Sequence, residues 1–352
     1  MGLTVLNVAY PLAPVGPDAV GGAEQVLTAI DAALIEAGHC SIVIACEGSQ
    51  AAGVLCSVPA ERGRLDEAAK HRAWARHRLA IAAALRRWPT DIVHLHGIDF
   101  HAYLPAAAPT LVTLHLPLDW YPVEALRMRR PNLWLHGVSE SQHRGAPVSA
   151  RLLPPVPNGI DADLLAARHA KRRFALVMGR ICPEKGIHLA IDAAEKAECP
   201  LIIAGQVFDY EAHQCYFDDS IAPRLGRRCR FVGPLGQKRK RRFLTAARCL
   251  VIPSLAAETS SLVAMEALAC GTPVIAFARG ALPQIIDHGR TGYLVENVDG
   301  MAEAITAAGS LDPRTCREQA RRRFPARRMT GRYLALYEAL TRADGRGLAR
   351  VG

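Results

Sequence analysis

Residues 249–276, CLVIPSLAAETSSLVAMEALACGTPVIA, contain two short apolar runs separated by a segment with helical spacing. The first run, CLVIPS at 249–254, is apolar at successive positions, which is typical of a strand buried on both faces of a parallel sheet. Apolar residues in 262–269 recur at helical spacing, which predicts a helix with one buried face, and Gly271 is its predicted stop. The next strand is predicted at 273–276. This stretch therefore predicts a strand–helix–strand unit of an α/β fold.

Two glutamates accompany the start of this helix. Glu258 is predicted in the loop at the carboxyl end of the strand, where open α/β sheets bind their ligands. Glu266 is predicted about two turns into the helix, too far along to be a capping-box glutamate. Thr259, Ser260 and Ser261 are three consecutive candidate N-caps. Two solvated carboxylates beside a helix remain the alternative interpretation at this point.

The alternation of apolar runs and helical segments extends along the whole chain. Such runs begin near residues 3, 41, 91, 110 and 133 in the first half, and near 174, 200, 229, 249 and 273 in the second. Strands that alternate with helices indicate parallel, doubly wound sheets. The turn-rich segment 154–173 separates the two sets. We therefore predict an α/β fold with two Rossmann-like domains, 1–155 and 156–325, that face a central cleft, and 352 residues suit two such cores.

The composition has a basic surplus. Lys and Arg total 43 against 33 Asp and Glu, a formal charge of +10, which favours anionic partners such as phosphates or acidic lipid. Part of the surplus is clustered at 127–130, 224–230 and 237–242, and a solvated helix face is the ordinary reason for such a run. The clusters lack interleaved aromatic residues, which argues against single-stranded nucleic acid as a partner, so none is predicted.

The cysteines and the amino-terminal residues indicate in which cellular compartment the protein is expected. The ten cysteines form no CxxC pair, and most, such as Cys40, Cys46, Cys249 and Cys270, lie in apolar surroundings, which predicts buried thiols in a reducing compartment. Residues 1–17 lack a basic segment and are broken by prolines, so a first strand is predicted there rather than a signal peptide. No apolar run reaches the ~18 residues of a membrane span. We expect a cytoplasmic protein.

Charged and glycine residues follow several predicted strands. Arg180 and Lys185 share one loop after the run at 174–180, where a guanidinium fork and an ammonium could together hold a diphosphate. An ordinary basic loop is the alternative. Gly21 and Gly22 open the first predicted helix, whose N-terminus favours an anion. This is not a GxGxxG motif, so a nicotinamide cofactor is not predicted.

Three histidines lie in or after the third and fourth predicted strands. His94 and His96 share one strand face and could chelate a metal, but no third ligand is placed beside them. Hydrogen-bonded histidines are the preferred interpretation, and no metal site is predicted. His115 precedes the loop 116–131 and could contact a substrate.

Several motifs together resemble the group 1 (family 4) glycosyltransferases of the GT-B fold. The motifs are GGAEQV (21–26), PVPNGID (155–161), GRICPEKG (179–186) and AETSSLVAMEALACGTPVIA (257–276). RRMTGRYLALYEAL (327–340) resembles the terminal helix of that family, at about 326–342, which crosses back onto the first domain. The resemblance extends over nearly the whole chain and is strongest in its carboxyl half. The chain departs from many members in having Thr-Ser-Ser after Glu258, where they have an apolar residue and glycine.

The resemblance implies roles for individual residues. Glu266 is implied to bind the ribose of a nucleotide sugar and Glu258 to contact the donor sugar, while His115 lies near the anomeric carbon. The implied catalytic residues are Arg180, Lys185, Glu258 and His115. The implied donor-binding residues are Gly21, Gly22, Gly205, Glu258, Ser260, Ser261, Leu262 and Glu266.

The implied reaction is transfer of a sugar from a nucleotide-diphosphate sugar, expected to be a UDP-sugar, to a sugar or lipid-linked acceptor. Retention of anomeric configuration is implied, with no metal or other cofactor, as in cell-envelope or polysaccharide biosynthesis. A GT-B epimerase or phosphorylase, and a non-catalytic nucleotide-sugar-binding protein, remain alternatives on the same scaffold. With the basic clusters, a lipid-linked acceptor suggests peripheral contact with anionic lipid at the inner membrane face.

Overall fold

The computed structural model describes residues 2–148, 150–167 and 169–343. The chain divides into two compact units. The amino-terminal unit comprises the residues up to Asn158 together with those from Arg327 onward, and the carboxyl-terminal unit is Gly159–Ala326. Each unit contains one parallel sheet.

The amino-terminal unit has a seven-stranded sheet in the order β3-β2-β1-β4-β5-β6-β7. Its elements are β1 (Thr4–Val8), α1 (Gly22–Glu36), β2 (Cys40–Cys46), β3 (Val54–Val58), α2 (Glu67–Arg87), β4 (Ile92–Leu95), β5 (Thr110–Leu114), α3 (Val123–Leu126), β6 (Leu133–Gly137), α4 (Glu140–Arg144) and β7 (Leu152–Leu153). The central β1 pairs with β2 on one side and β4 on the other, so the strand order reverses between β1 and β4. Ligands of doubly wound sheets bind where the order reverses.

The carboxyl-terminal unit repeats this order with six strands, β10-β9-β8-β11-β12-β13. Its elements are β8 (Ala175–Met178), α5 (Ile187–Lys196), β9 (Leu201–Ala204), α6 (Glu211–Tyr216), β10 (Cys229–Phe231), α7 (Gln237–Ala246), β11 (Cys249–Ile252), α8 (Leu262–Ala269), β12 (Val274–Phe277), α9 (Leu282–Ile285), β13 (Gly292–Val295), α10 (Val298–Ala307) and α11 (Pro313–Arg323). The order reverses between β8 and β11. Successive residues of β8 alternate between two hydrophobic cores, one on each face of the sheet, because strand side chains point to opposite faces.

The last helix, α12 (Ala326–Ala343), packs in the amino-terminal unit. Tyr333 and Tyr337 on this helix are fully buried. The Tyr337 hydroxyl lies 2.6 Å from His94 Nδ1 of β4, so this helix is tied to the sheet by a polar contact as well as by packing.

The two Rossmann-like, doubly wound units predicted from the sequence are confirmed. Three strands were not predicted, namely β3, β7 and β13. All three lie at an edge of their sheet. An edge strand is not covered on both sides, so it lacks the continuous apolar run that marks a central strand.

Helix α8 differs in two respects from its prediction. Ser261 is the cap, since its hydroxyl accepts from the Ala264 N–H, so Glu266 is the fifth helical residue rather than two turns in. The helix is buried nearly all round rather than on one face. Its end is as predicted: the N–H groups of Gly271 and Thr272 donate to carbonyls of the last turn, as in a Schellman motif.

All ten cysteines are free. Cys46, Cys249 and Cys270 are buried as predicted, whereas Cys40 is exposed because it opens β2 at the sheet surface. Among the described residues, no helix combines the length and apolar character needed to cross a membrane.

Candidate functional site

The loops that follow β8 and β11 lie at the point where the second sheet reverses its strand order. Lys185 belongs to the first loop and Glu258 to the second. Lys185 Nζ lies 2.6 Å from Glu258 Oε1, and the Ser254 hydroxyl donates to the same oxygen. The structure therefore brings together two of the predicted site residues, and it adds Ser254, which the sequence analysis did not single out.

Backbone contacts fix these two loops against each other. The Leu255 N–H donates to the Glu184 carbonyl over 2.8 Å. Gly186 has φ +60°, and a Cβ there would lie 2.3 Å from the Pro253 carbonyl oxygen. A side chain at this position would separate the loops, so glycine is required for the ion pair to form.

The amino end of α8 follows Glu258 after three residues. Ser261 caps the helix, Ser260 is half-buried, and Leu262 is the first helical residue. The first amides of a helix have no intrahelical acceptor and carry the positive end of its dipole. This terminus is therefore suited to an anion beside Lys185.

Glu266 does not join the Lys185–Glu258 pair and has a partner of its own. Lys240 Nζ of α7 lies 2.6 Å from Glu266 Oε1, and both side chains are buried. Burial raises the pKa of Glu266, and the Lys240 charge acts in the opposite direction. In the sequence, Lys240 belongs to the basic run 237–242, which is typical of a solvated helix face, and nothing in the local pattern distinguishes it from its neighbours.

Arg180 follows β8 and is half-buried. Its charge lowers the pKa of His213, after burial, which is the larger cause. Cys182, Glu184 and His213 each place one possible metal-ligand atom within 4.8 Å of the other two. Burial raises the pKa of Cys182 to about 11, so this residue is an uncharged thiol, and the nearby Arg180 charge makes the group less favourable to a cation.

Gly205 has a packing role at the end of β9. Its φ is +154°, and a Cβ would lie 1.8 Å from the carbonyl oxygen of Gly179. The backbone after β9 therefore touches the backbone after β8, which leaves room only for glycine. This contact places Gly205 beside the loop that follows β8.

In the amino-terminal unit, Gly21 caps α1 through its backbone and Gly22 is the first helical residue. A Cβ on Gly21 would lie 1.9 Å from Glu24 Oε2, so the buried Glu24 carboxylate folds back over the helix start. A carboxylate is favourable there because it faces the positive end of the helix dipole.

His115 follows β5, next to the point where the first sheet reverses its order. Its Nε2 lies 3.0 Å from Nδ1 of His96, which follows β4. Burial lowers the pKa of His115 to about 3 and lowers that of His96 as well. Both imidazoles are therefore neutral near pH 7 and act as hydrogen-bonding groups, not as cations.

His94 belongs to a buried hydrogen-bond chain whose proton positions can be assigned. His136 Nδ1 lies 2.9 Å from the Gly137 carbonyl, which only accepts, so Nδ1 carries the proton and Nε2 accepts from the Thr113 hydroxyl. Thr113 then accepts from His94 Nε2, and His94 Nδ1 accepts from the Tyr337 hydroxyl. The interpretation of His94 as a hydrogen-bonded histidine is therefore correct.

Most basic residues of the three clusters are exposed, and the others have partners within the fold. Arg130 donates to the Pro105 carbonyl, and Arg224 pairs with Asp192 and Glu195. The remaining exposed members, such as Lys238 and Arg239, match the ordinary interpretation of such runs as solvated surface.

Residues 166–323 match the family of group 1 glycosyl transferases. A D-inositol 3-phosphate glycosyltransferase of Kribbella flavida is 37% identical over 176 residues, which cover 44% of this chain and 40% of that protein. Further relatives of that name are covered over 18% to 44% of their length, so the chain spans less than half of each of these curated relatives.

Solved structures resemble the chain over nearly its full length. Sucrose-phosphate synthase from Thermosynechococcus elongatus has a TM-score of 0.78 at 20% identity, with 97% of this chain and 100% of that chain covered. Anabaena HepE in complex with UDP and glucose has a TM-score of 0.74 at 17% identity, with coverage of 96% and 100%. These likenesses confirm the GT-B fold class predicted from the sequence.

Proposed function

We propose that the chain, whose residues 166–323 match the group 1 glycosyl transferases, transfers a sugar from a nucleoside-diphosphate sugar to an acceptor hydroxyl. The observation that carries this proposal is the meeting of Lys185, Ser254 and Glu258 at the strand-order reversal of the carboxyl-terminal unit. UDP is the proposed nucleotide, and the HepE complex with UDP and glucose supports this choice.

Donor binding exchanges the partner of Lys185. A diphosphate carries more charge than one carboxylate, so it draws the Lys185 ammonium away from Glu258. Glu258 keeps the Ser254 hydroxyl and becomes free to accept from a hydroxyl of the donor sugar. Glu266, one turn into α8, accepts from the ribose hydroxyls.

Departure of the nucleoside diphosphate is the demanding step, because negative charge grows on the leaving phosphate. In this proposal Arg180, Lys185 and the first amides of α8 are the donors that stabilise that charge. One such donor typically contributes about 10²–10³ in rate. His115, being neutral, orients a hydroxyl by hydrogen bonding rather than by charge. No metal ion is needed in this scheme, and the configuration at the anomeric carbon is retained.

A donor screen tests the proposal. The protein is incubated with UDP-, GDP- and ADP-sugars and with a panel of acceptors, including D-inositol 3-phosphate because the curated relatives carry that name. We expect acceptor-dependent release of one nucleoside diphosphate and a product whose anomeric proton coupling matches that of the donor. An isomerised sugar without acceptor would indicate an epimerase, phosphate-dependent release a phosphorylase, and binding without release a non-catalytic protein.

A further inference from the structure

Lys240 and Glu266 form an ion pair between α7 and α8. Lys240 Nζ and Glu266 Oε1 are 2.6 Å apart. Lys240 is 7% exposed and Glu266 is 6% exposed. Charged side chains are seldom buried to this extent unless they are paired, so the two positions depend on each other.

Lys240 stands apart from the basic residues around it. Lys238, Arg239 and Arg242 on the same helix are exposed, and Arg241 is half-buried with one nitrogen donating to the Leu164 carbonyl. Helical geometry turns the face that carries Lys240 toward α8 while the neighbouring positions face solvent. Lys240 is therefore buried because of its pairing with Glu266, and not because it belongs to the basic run.

A carboxyl group buried alone would take up a proton, because burial disfavours its charged form. Among the described residues, Lys240 is the charged group that acts on Glu266 against that tendency. Cys270 lies one turn further along, and Lys171 acts on Cys270. The guanidinium of Arg317 lies against the adjacent Gly271, on the side of α11. Lys240 is in direct contact with the carboxylate, whereas these other groups surround the far end of α8.

We infer that Lys240 is a positioning residue for the nucleotide site, which holds the Glu266 carboxylate ionised and in place as an acceptor for the ribose hydroxyls. This inference rests on the proposed function. An ionised carboxylate accepts two O–H donors in charge-assisted hydrogen bonds, whereas the protonated acid must donate one of its own. Without Lys240 the nucleotide site loses its acceptor at neutral pH although Glu266 is still present.

The ionisation of Glu266 can be tested without any ligand. Urea unfolding is measured from pH 5 to 8 for the unaltered chain, Lys240→Met and Lys240→Met/Glu266→Gln. A carboxyl whose folded pKa is raised favours the folded state most at acid pH, and this advantage is lost as pH rises from its unfolded value of about 4.3 to its folded value. We therefore expect Lys240→Met to lose stability with rising pH relative to the double variant.

A Lys240→Met chain that folds at pH 5 and not at pH 8 is the extreme form of the same result. Lys240→Arg, which keeps the charge, is expected to follow the unaltered chain. Parallel pH curves for Lys240→Met and the double variant would overturn the inference, because Glu266 would then titrate independently of Lys240.

Calorimetric titration with UDP, GDP and ADP at pH 6.5 and 8.5 tests the consequence for binding. We expect Lys240→Met to bind the accepted nucleotide about tenfold or more weakly than the unaltered chain at pH 6.5, with most of the affinity restored at pH 8.5. Lys238→Met, an exposed neighbour on the same helix, is the matched control and should bind normally at both values. A pH-independent loss in Lys240→Met would indicate a merely structural role. If no chain binds any of the three nucleotides, the proposed function fails, while the unfolding series still decides the ionisation of Glu266.

Discussion

Glu258 and Glu266 differ in what surrounds them. Glu258 lies in a loop, and its partner Lys185 has 30% of its side chain exposed, so the pair can exchange partners with a ligand. Glu266 lies within α8, and its partner is buried with it. The first glutamate is therefore suited to a group that changes during a reaction, and the second to a group that is bound throughout.

Glu258→Gln and Glu266→Gln should therefore have different effects. Glu266→Gln should weaken binding of donor and free nucleoside diphosphate alike, by about 1.5–3 kcal/mol for lost charge-assisted hydrogen bonds. Glu258→Gln should leave nucleoside diphosphate affinity nearly unchanged and lower kcat. Calorimetric titration beside steady-state kinetics measures both quantities.

Because Glu266→Gln leaves the Lys240 ammonium unpaired, Glu266→Gln/Lys240→Met serves as its control for folding. The division of roles would be wrong if Glu258→Gln lost nucleoside diphosphate affinity as severely as Glu266→Gln. If neither substitution changed nucleoside diphosphate affinity or kcat, both glutamates would have no role in binding or catalysis.

Arg180 is expected to act on the leaving diphosphate. Arg180→Ala should lower kcat/KM by on the order of 10²-fold or more, roughly 3 kcal/mol of transition-state stabilisation. Arg173→Ala removes an exposed arginine near the opposite end of β8 and is the matched control. Near-normal turnover of Arg180→Ala would contradict the assignment.

At the scale of elements, α12 is held in the amino-terminal unit by the buried chain from Tyr337 through His94 and Thr113 to His136. Every hydrogen in this chain has one assigned acceptor, so each member depends on the next. Burial lowers the pKa of His136 to about 4, which keeps its imidazole neutral, and the Gly137 carbonyl then fixes the tautomer that the chain requires.

Tyr337→Phe should destabilise the protein by about 1–3 kcal/mol, because it leaves the buried Nδ1 of His94 without a donor. Tyr333→Phe, one turn earlier on α12, is the matched control. The Tyr333 hydroxyl lies 3.3 Å from Thr113 Oγ1, a longer contact, and its loss leaves Thr113 with other partners. Urea unfolding should show the larger loss for Tyr337→Phe, and equal losses would contradict the assigned chain.

The buried histidines should make the amino-terminal unit sensitive to acid. Their folded pKa values lie below the unfolded value of about 6.5, at about 4 for His136 and about 3 for His115. The unfolded chain therefore binds more protons, and stability present above pH 6.5 is lost as the pH falls toward 4.

We expect the free energy of unfolding to fall by about 1 kcal/mol or more between pH 6.5 and 5.5. Urea unfolding at several pH values measures this slope. His136→Gln should reduce it, whereas His71→Gln, which removes an exposed histidine, should leave it unchanged. A slope that is the same in all three chains would contradict the prediction.

At the scale of the whole molecule, the net charge of +10 leads us to propose contact with anionic lipid. Co-sedimentation should show binding to vesicles with anionic lipid that is lost at high salt, because exposed charges are screened within about 10 Å at 0.1 M. Equal recovery with neutral vesicles would count against the proposal. Since Lys240 is buried and Arg224 is paired, the clusters offer less free charge than their sequence suggests.

The central strands, the helices between them and the two-unit organisation follow from the sequence alone, because a strand buried on both faces must be apolar throughout and a helix must repeat its apolar residues. Gly271 and the loop position of Glu258 follow from equally local signals. The partners could not be predicted in this way. Glu266 meets Lys240 across 26 residues, Glu258 meets Lys185 across 73, and His94 meets Tyr337 across 243. Each contact depends on which strands lie side by side and which helix faces which, and only the packed sheet decides that.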